Sequence, residues 1–217
     1  MRNLEENLID MKAFRRFINL VCNTFQIRFH KQHLQNLQNR IKEEFKIYFS
    51  IGTEQEIKVN AYGLTGAGLL FVNSTLKVQL RLHKAASKFA KLTEDLRARA
   101  LPLRARPATE GGLKLVENSW FTVKHIRDQY VYLQLDQNDY TEEYNGVVFK
   151  VKFQHMQARR EFLLAKLLNL YTFLDRNKFL AIAYFWIFFL KTNGFVGEKR
   201  GYLSSTTYLL MLVNYMQ

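Results

Sequence analysis

Nine cations within thirty residues carry the first chemical signal. Lys77, Arg81, Lys84, Lys88 and Lys91 recur at three- and four-residue spacing, and Arg97, Arg99, Arg104 and Arg106 extend the run, interrupted only by Glu94 and Asp95. Arginine forks grip phosphate oxygens in pairs, and lysines along a helix suit the backbone of a duplex or a folded RNA, so a polyanion is the expected ligand. A plain solvated face is the alternative that the run by itself leaves open. The other reactive side chains do not assemble. Cys22, His30 and His33 lack metal-ligand spacing on a common face and have no adjacent acid. His83, His125 and His155 each end or follow a lysine-rich strand, which reads as a polar edge facing phosphate or water. Ser119, Asp128 and a histidine form a triad only by arbitrary choice, so no hydrolase is expected.

The composition agrees with a basic, folded class that favours a polyanionic partner, nucleic acid before a membrane surface. The 217 residues hold 32 basic and 19 acidic side chains, a net charge of +13, and 48% are hydrophobic with only 2 prolines. That excludes a disordered tail and allows one ordinary domain or two small ones. Nine basic and two acidic residues fall within 77–106, so more than half of the excess sits there. A single cysteine excludes an internal disulfide framework and a cysteine-cluster zinc site, which points to an intracellular setting. The longest lipid-compatible run, Phe179 to Leu190, has twelve residues. A bilayer-spanning helix needs ~20, so a buried core helix and no membrane insertion are expected. Glu5, Glu6 and Asp10 argue against a targeting segment at the N-terminus.

Periodicity places these residues on elements. Leu4, Leu8, Met11, Phe14, Ile18, Val21 and Phe25, then Leu34, Leu37, Ile41 and Phe45, predict helix over 3–48 with one break. The period then drops to two, predicting strands over 57–62 and 76–82 joined by the turn Gly63-Leu64-Thr65-Gly66-Ala67-Gly68. A basic helix follows over 84–101, ended by Pro102, and 102–118 reads as loop. Strands over 120–126, 129–135 and 147–154 precede helices over 158–174, 178–191 and 203–216. The expected plan is a helical arm, 1–48, packing on the C-terminal helices; an α/β domain, 49–155; and a helical domain, 156–217.

Three segments in order carry a family resemblance. Gly63, Gly68, Leu69 and Ser74 have the spacing of the glycine-serine signature of nucleotidyltransferases of the DNA polymerase beta superfamily. The segment Gly201-Tyr202-Leu203-Ser204-Ser205-Thr206-Thr207-Tyr208-Leu209-Leu210-Met211, on to Gln217, resembles the leucine-serine-serine helix of non-canonical poly(A) polymerases and terminal uridylyltransferases. Leu167-Leu168-Asn169-Leu170-Tyr171, Asp175 and Trp186 resemble the same family's central-domain helices. The resemblance runs from about residue 50 to the C-terminus. It implies an α+β fold, with a five-stranded nucleotidyltransferase-like mixed sheet and a truncated poly(A)-polymerase-associated helical domain. Because that domain continues through further helices in the family, uncovered apolar faces and protein partners are expected.

The resemblance also implies three carboxylates that hold two magnesium ions, and those positions fall on Thr75, Lys77 and Lys150. Magnesium takes hard oxygen ligands, and an ammonium group repels a unit charge ~4 Å away by roughly 4 kcal/mol at an effective dielectric of ~20. No metal and no cofactor are therefore expected, and the chain reads as a pseudoenzyme. The family's phosphate-binding serine is Leu64, its phosphate-binding lysine is Tyr184 and its base-stacking tyrosine is Thr206; Ser204 and Ser205 remain, in a place that suits a helix start.

Three functional readings follow. The first is an inactive RNA-binding scaffold subunit of a large ribonucleoprotein, with a mitochondrial ribosome as the first particle to test and ribosomal RNA and other subunits as partners. The second is a pseudo-subunit of an active RNA 3′-terminal nucleotidyltransferase or RNA-processing complex. The third is an active transferase with relocated acids, for which Asp136, Asp139, Glu142 and Glu143 are the nearby choices.

Overall fold

Alternation of apolar and polar residues builds the sheet. In the computed structural model, which describes residues 12–13, 16–17, 19–20, 31–52, 57–71, 75–103, 112–136, 147–153, 176–197 and 201–216, five strands form: β1 (Lys58–Ala61), β2 (Leu76–Arg81), β3 (Phe121–Arg127), β4 (Tyr130–Leu135) and β5 (Val148–Phe153). Their order is β1-β2-β5-β4-β3, with β2 and β5 parallel and the other pairs antiparallel. The sheet is mixed, as expected, and each strand lies within two residues of its predicted bounds.

One face of the sheet is apolar. Leu76, Val78 and Leu80, then Phe149, Val151 and Phe153, then Val131, Leu133 and Leu135 recur at every second position and are buried. Helix α1 (Lys31–Tyr48) brings Leu37, Ile41 and Phe45 against this face, with the Phe45 and Phe153 rings edge to face at 5.5 Å. The single helical turn α2 (Gly63–Gly66) links β1 toward β2, and helix α3 (Ala85–Leu103) then covers the same apolar face, its Phe89 ring 5.0 Å from Phe153 and its Leu92 and Leu96 buried. Each such fully buried side chain stabilises the fold by roughly 1.5–3 kcal/mol. Tyr48 donates to Asp95 at 2.6 Å and joins α1 to α3. Burial, and then the Asp95 carboxylate, push the Tyr48 phenol far above its usual range.

Two details differ from the periodicity. Lys84 lies outside α3, in the left-handed region at φ 54°, where its carbonyl accepts from Ser87 Oγ at 2.9 Å and Lys88 N at 3.2 Å. At the other end α3 runs one residue past Pro102, because a proline near a helix end removes a single backbone bond and need not end the helix at once.

A buried carboxylate pins α1 to the edge of the sheet. Glu44 accepts from Trp120 N at 2.8 Å, Ser119 Oγ and Arg40 Nε at 3.2 Å, while Arg40 Nη2 donates to Asn118 O at 2.8 Å and the guanidinium lies 4.9 Å over the Trp120 ring. Burial holds the Glu44 carboxyl above the usual carboxylate range, against the pull of the Ser119, Trp120 and Arg40 donors.

The chain divides into two compact units: Phe29–Gly66 with Asn73–Phe162, and Met1–Arg28 with Ala67–Val72 and Leu163–Gln217. Within the stretch 1–48, helix α1 belongs to the sheet unit, and Phe17, earlier in that stretch, meets Phe185 edge to face at 5.7 Å in the other unit. That second unit contains α4 (Arg176–Thr192) and α5 (Ser205–Met216). The residues Leu167–Tyr171 and Asp175 lie outside the described residues. Among the described residues no helix is long and apolar enough to cross a membrane.

Candidate nucleic-acid interface

The second face of the sheet is polar, and strand pairing sorts its side chains into rows. Lys77 on β2 is paired with Lys150 on β5, Lys150 with Tyr132 on β4, and Tyr132 with His125 on β3. The next row reads Gln79, Lys152, Tyr130 and Arg127. Neighbouring strands lie ~4.8 Å apart, so each row places its groups within reach of one another.

Aromatic rings make this concentration of charge tolerable. Lys150 Nζ sits 3.7 Å from the Tyr130 ring centroid and 5.6 Å from that of Tyr132. Lys77 Nζ lies 6.0 Å over Tyr62, and the buried Lys152 lies 5.0 Å over Tyr130. Such contacts contribute ~0.5–1 kcal/mol at exposed sites and more where water is excluded. The backbone of Lys77 is fixed from the glycine turn, because Lys77 N donates to Thr65 Oγ1 at 2.8 Å. The turn can form because Gly63 and Gly68 supply φ of 59° and 79°. The converging groups are ammonium, phenol and imidazole, which suit an anion with attached rings. Among the described residues no three His, Cys, Asp or Glu side chains gather as metal ligands.

Of the three positions to which the resemblance assigns carboxylates, Lys77 and Lys150 are adjacent, and exposed Thr75 directly precedes β2. The basic run does not form one surface. Lys77 lies on the polar face, whereas Lys88, Lys91, Arg97 and Arg99 ride on α3, which covers the opposite face. Lys88 Nζ lies 5.3 Å over the Phe49 ring, and Lys84, Lys91 and Arg97 are exposed. Arg81 is half-buried at the end of β2. Arg99 is structural, since it donates to the carbonyls of Lys114 and Leu115, the latter at 3.3 Å, and approaches Asp95 at 3.5 Å. Arg104 and Arg106 lie outside the described residues, as do Asp139, Glu142 and Glu143. Asp136 is engaged, accepting from Thr122 Oγ1 with Lys114 Nζ 3.9 Å away.

In the helical unit Ser204 caps α5, with Thr207 N donating to Ser204 Oγ at 3.2 Å. The Tyr184 hydroxyl donates to Leu70 O at 2.7 Å and accepts from Leu70 N, while its ring lies 4.7 Å from Phe71. The position that the resemblance gives to a phosphate-binding lysine is thus buried and occupied with holding backbone. Nothing in the sequence signalled that partner, since 114 residues separate the two.

No protein-family model matches the chain, and no curated protein matches it. Solved structures do. The Cid1 poly(U) polymerase bound to MgATP is similar at TM-score 0.62 and 17% identity, over 95% of this chain and 56% of that one. A cytoplasmic RNA terminal U-transferase is similar at TM-score 0.61 and 17% identity, over 95% and 55%. The chain spans about half the length of these structures. At such identity the likeness is one of fold: the chain has the nucleotidyltransferase fold, as the glycine turn and the C-terminal helix led us to expect.

Proposed function

We propose that this protein is a catalytically inactive nucleotidyltransferase-fold subunit that binds RNA and serves as a scaffold in a large ribonucleoprotein, with a mitochondrial ribosome as the particle to test first. The observation that carries the reading is the pairing of Lys77 with Lys150 on the polar face, at two of the three positions where the resemblance calls for carboxylates. Two ammonium groups and a threonine do not fit a divalent cation. They fit a phosphate. Asp136 is a poor substitute acid, since it lies just past the end of β4, four residues on from the partner of Lys150 and about 13 Å away at strand rise, and is already held by Thr122. RNA as the ligand is supported by the net charge of +13 and by the fold shared with an RNA terminal U-transferase.

The purified chain, incubated with RNA, magnesium or manganese and each nucleoside triphosphate, is expected to add no nucleotide. Template-independent extension that is abolished by Asp136→Asn would overturn the inactive reading. Purification of the intact chain at moderate salt is expected to recover ribosomal RNA and ribosomal proteins. Recovery of an active terminal transferase with little RNA would instead make the chain a pseudo-subunit of that enzyme.

A further inference from the structure

The row Lys77, Lys150, Tyr132 and His125 crosses four strands in the order β2, β5, β4, β3, and it changes character midway. Its first half is cationic and its second half is aromatic. Three strand spacings of ~4.8 Å make the row about 14 Å long. The aromatic end is built with a specific device. Val123 pairs with Leu133, but the register then shifts, so that His125 rather than Lys124 stands opposite Tyr132. A strict period of two would have turned His125 toward the apolar face; the bulge at Lys124 turns it to the polar one. There the imidazole stacks on Tyr132 at 3.9 Å between centroids and 21° between planes. His125 is exposed, so one ring face rests on Tyr132 and the other meets solvent. Lys124 and Arg127 beside it are exposed as well.

We infer that this row is a metal-independent binding site for single-stranded RNA, in which the ammonium groups of Lys77 and Lys150 take backbone phosphate and an unpaired base stacks on His125. The inference rests on the RNA-binding reading above and adds the place and the form of the ligand. An open ring face beside paired cations is how sheet surfaces hold unpaired strands, because every base has a π-face and every nucleotide a phosphate. A duplex hides its base faces, so it gains only the cationic half of the row. A purely acidic protein segment would likewise leave the His125–Tyr132 ledge unused.

The test uses the full chain, a labelled oligouridylate and a duplex RNA of equal length, with binding followed by fluorescence anisotropy. In excess EDTA the single strand is expected to bind more tightly than the duplex, with no gain on adding magnesium. His125→Ala should weaken single-strand binding by about 5- to 150-fold, the range of one lost base stack, and leave duplex binding within about twofold. His125→Phe should retain most of the affinity. Lys150→Gln should reduce the log-log salt slope by about 0.7. Thermal unfolding checks that each variant is folded, and exposed His125 is the safer of the two positions to change. Folded His125→Ala that binds oligouridylate like the unaltered chain overturns the site while leaving RNA binding elsewhere intact. Equal loss on single strand and duplex, or displacement of RNA by polyglutamate as effectively as by unlabelled oligouridylate, also overturns it. No binding to any RNA would remove both this site and the function on which it rests.

Discussion

Lys150 and Arg99 are both half-buried cations of the sheet unit, and they are held by opposite kinds of partner. Lys150 lies against the rings of Tyr130 and Tyr132 and makes no hydrogen bond among the described residues, so its N–H donors remain available to a ligand oxygen. Arg99 directs its donors at the carbonyls of Lys114 and Leu115 and at Asp95, and so ties α3 to the segment that leads into β3. Two basic residues of similar exposure therefore differ in whether their hydrogen-bonding capacity is already used. The same contrast separates the two faces of the sheet: the apolar face is closed by helices and pinned by Glu44, while the polar face gathers cations over rings.

The largest effect is expected on the pinned side. Glu44→Ala removes the carboxylate that Trp120 N–H and Arg40 Nε share and should lower stability by about 3 kcal/mol in denaturant titrations, the lower end for a broken buried pair because Arg40 is partly exposed and keeps its bond to Asn118 O. Glu44 also predicts a pH dependence. Its folded-state pKa is raised above 4.5, so the stability it contributes is complete below that value and is lost as pH rises through the raised pKa. Glu44→Gln should accordingly gain on the unaltered chain as pH rises from 4.5 to the raised value; a difference that stays flat would mean the buried carboxyl does not titrate there.

A smaller effect sharpens the reading of the polar face. In the variant Thr75→Asp, Lys77→Asp, Lys150→Asp, magnesium should raise the melting temperature, by up to about 2.7 kcal/mol of stabilisation at a hundredfold excess over Kd. The unaltered chain should show no such shift. A variant that folds and ignores magnesium would mean that these positions do not converge as the resemblance implies.

The smallest effects separate the two cations directly. Arg99→Ser should cost about 1 kcal/mol of stability and leave the salt slope of RNA binding unchanged. Lys150→Gln should cost less, about 0.5 kcal/mol, and change the slope instead. Reversal of the two outcomes would assign the structural role to Lys150 and the phosphate contact to Arg99.

What the sequence determined alone is local. Period-two alternation located five strands, three- and four-residue spacing located α1 and α4, and the glycines at 63 and 68 marked the left-handed turn, because each signal is complete within a few residues. The assignment of Thr75, Lys77 and Lys150 to the carboxylate positions rests on the frame that the resemblance supplies. What only the tertiary structure decided is which residues become neighbours. The parallel pairing of β2 with β5 joins Lys77 to Lys150 across more than seventy residues, and the placement of α3 on the apolar face divides a basic run that looks continuous in one dimension. The Glu44 clamp and the Tyr184 hydroxyl on Leu70 satisfy groups distant in the chain, and the bulge that delivers His125 to Tyr132 is a shift of register across the β3–β4 hairpin. Hydrogen bonds and cross-strand contacts are fixed by strand order and register, and these are set by burying the whole apolar face at once rather than by any segment read singly.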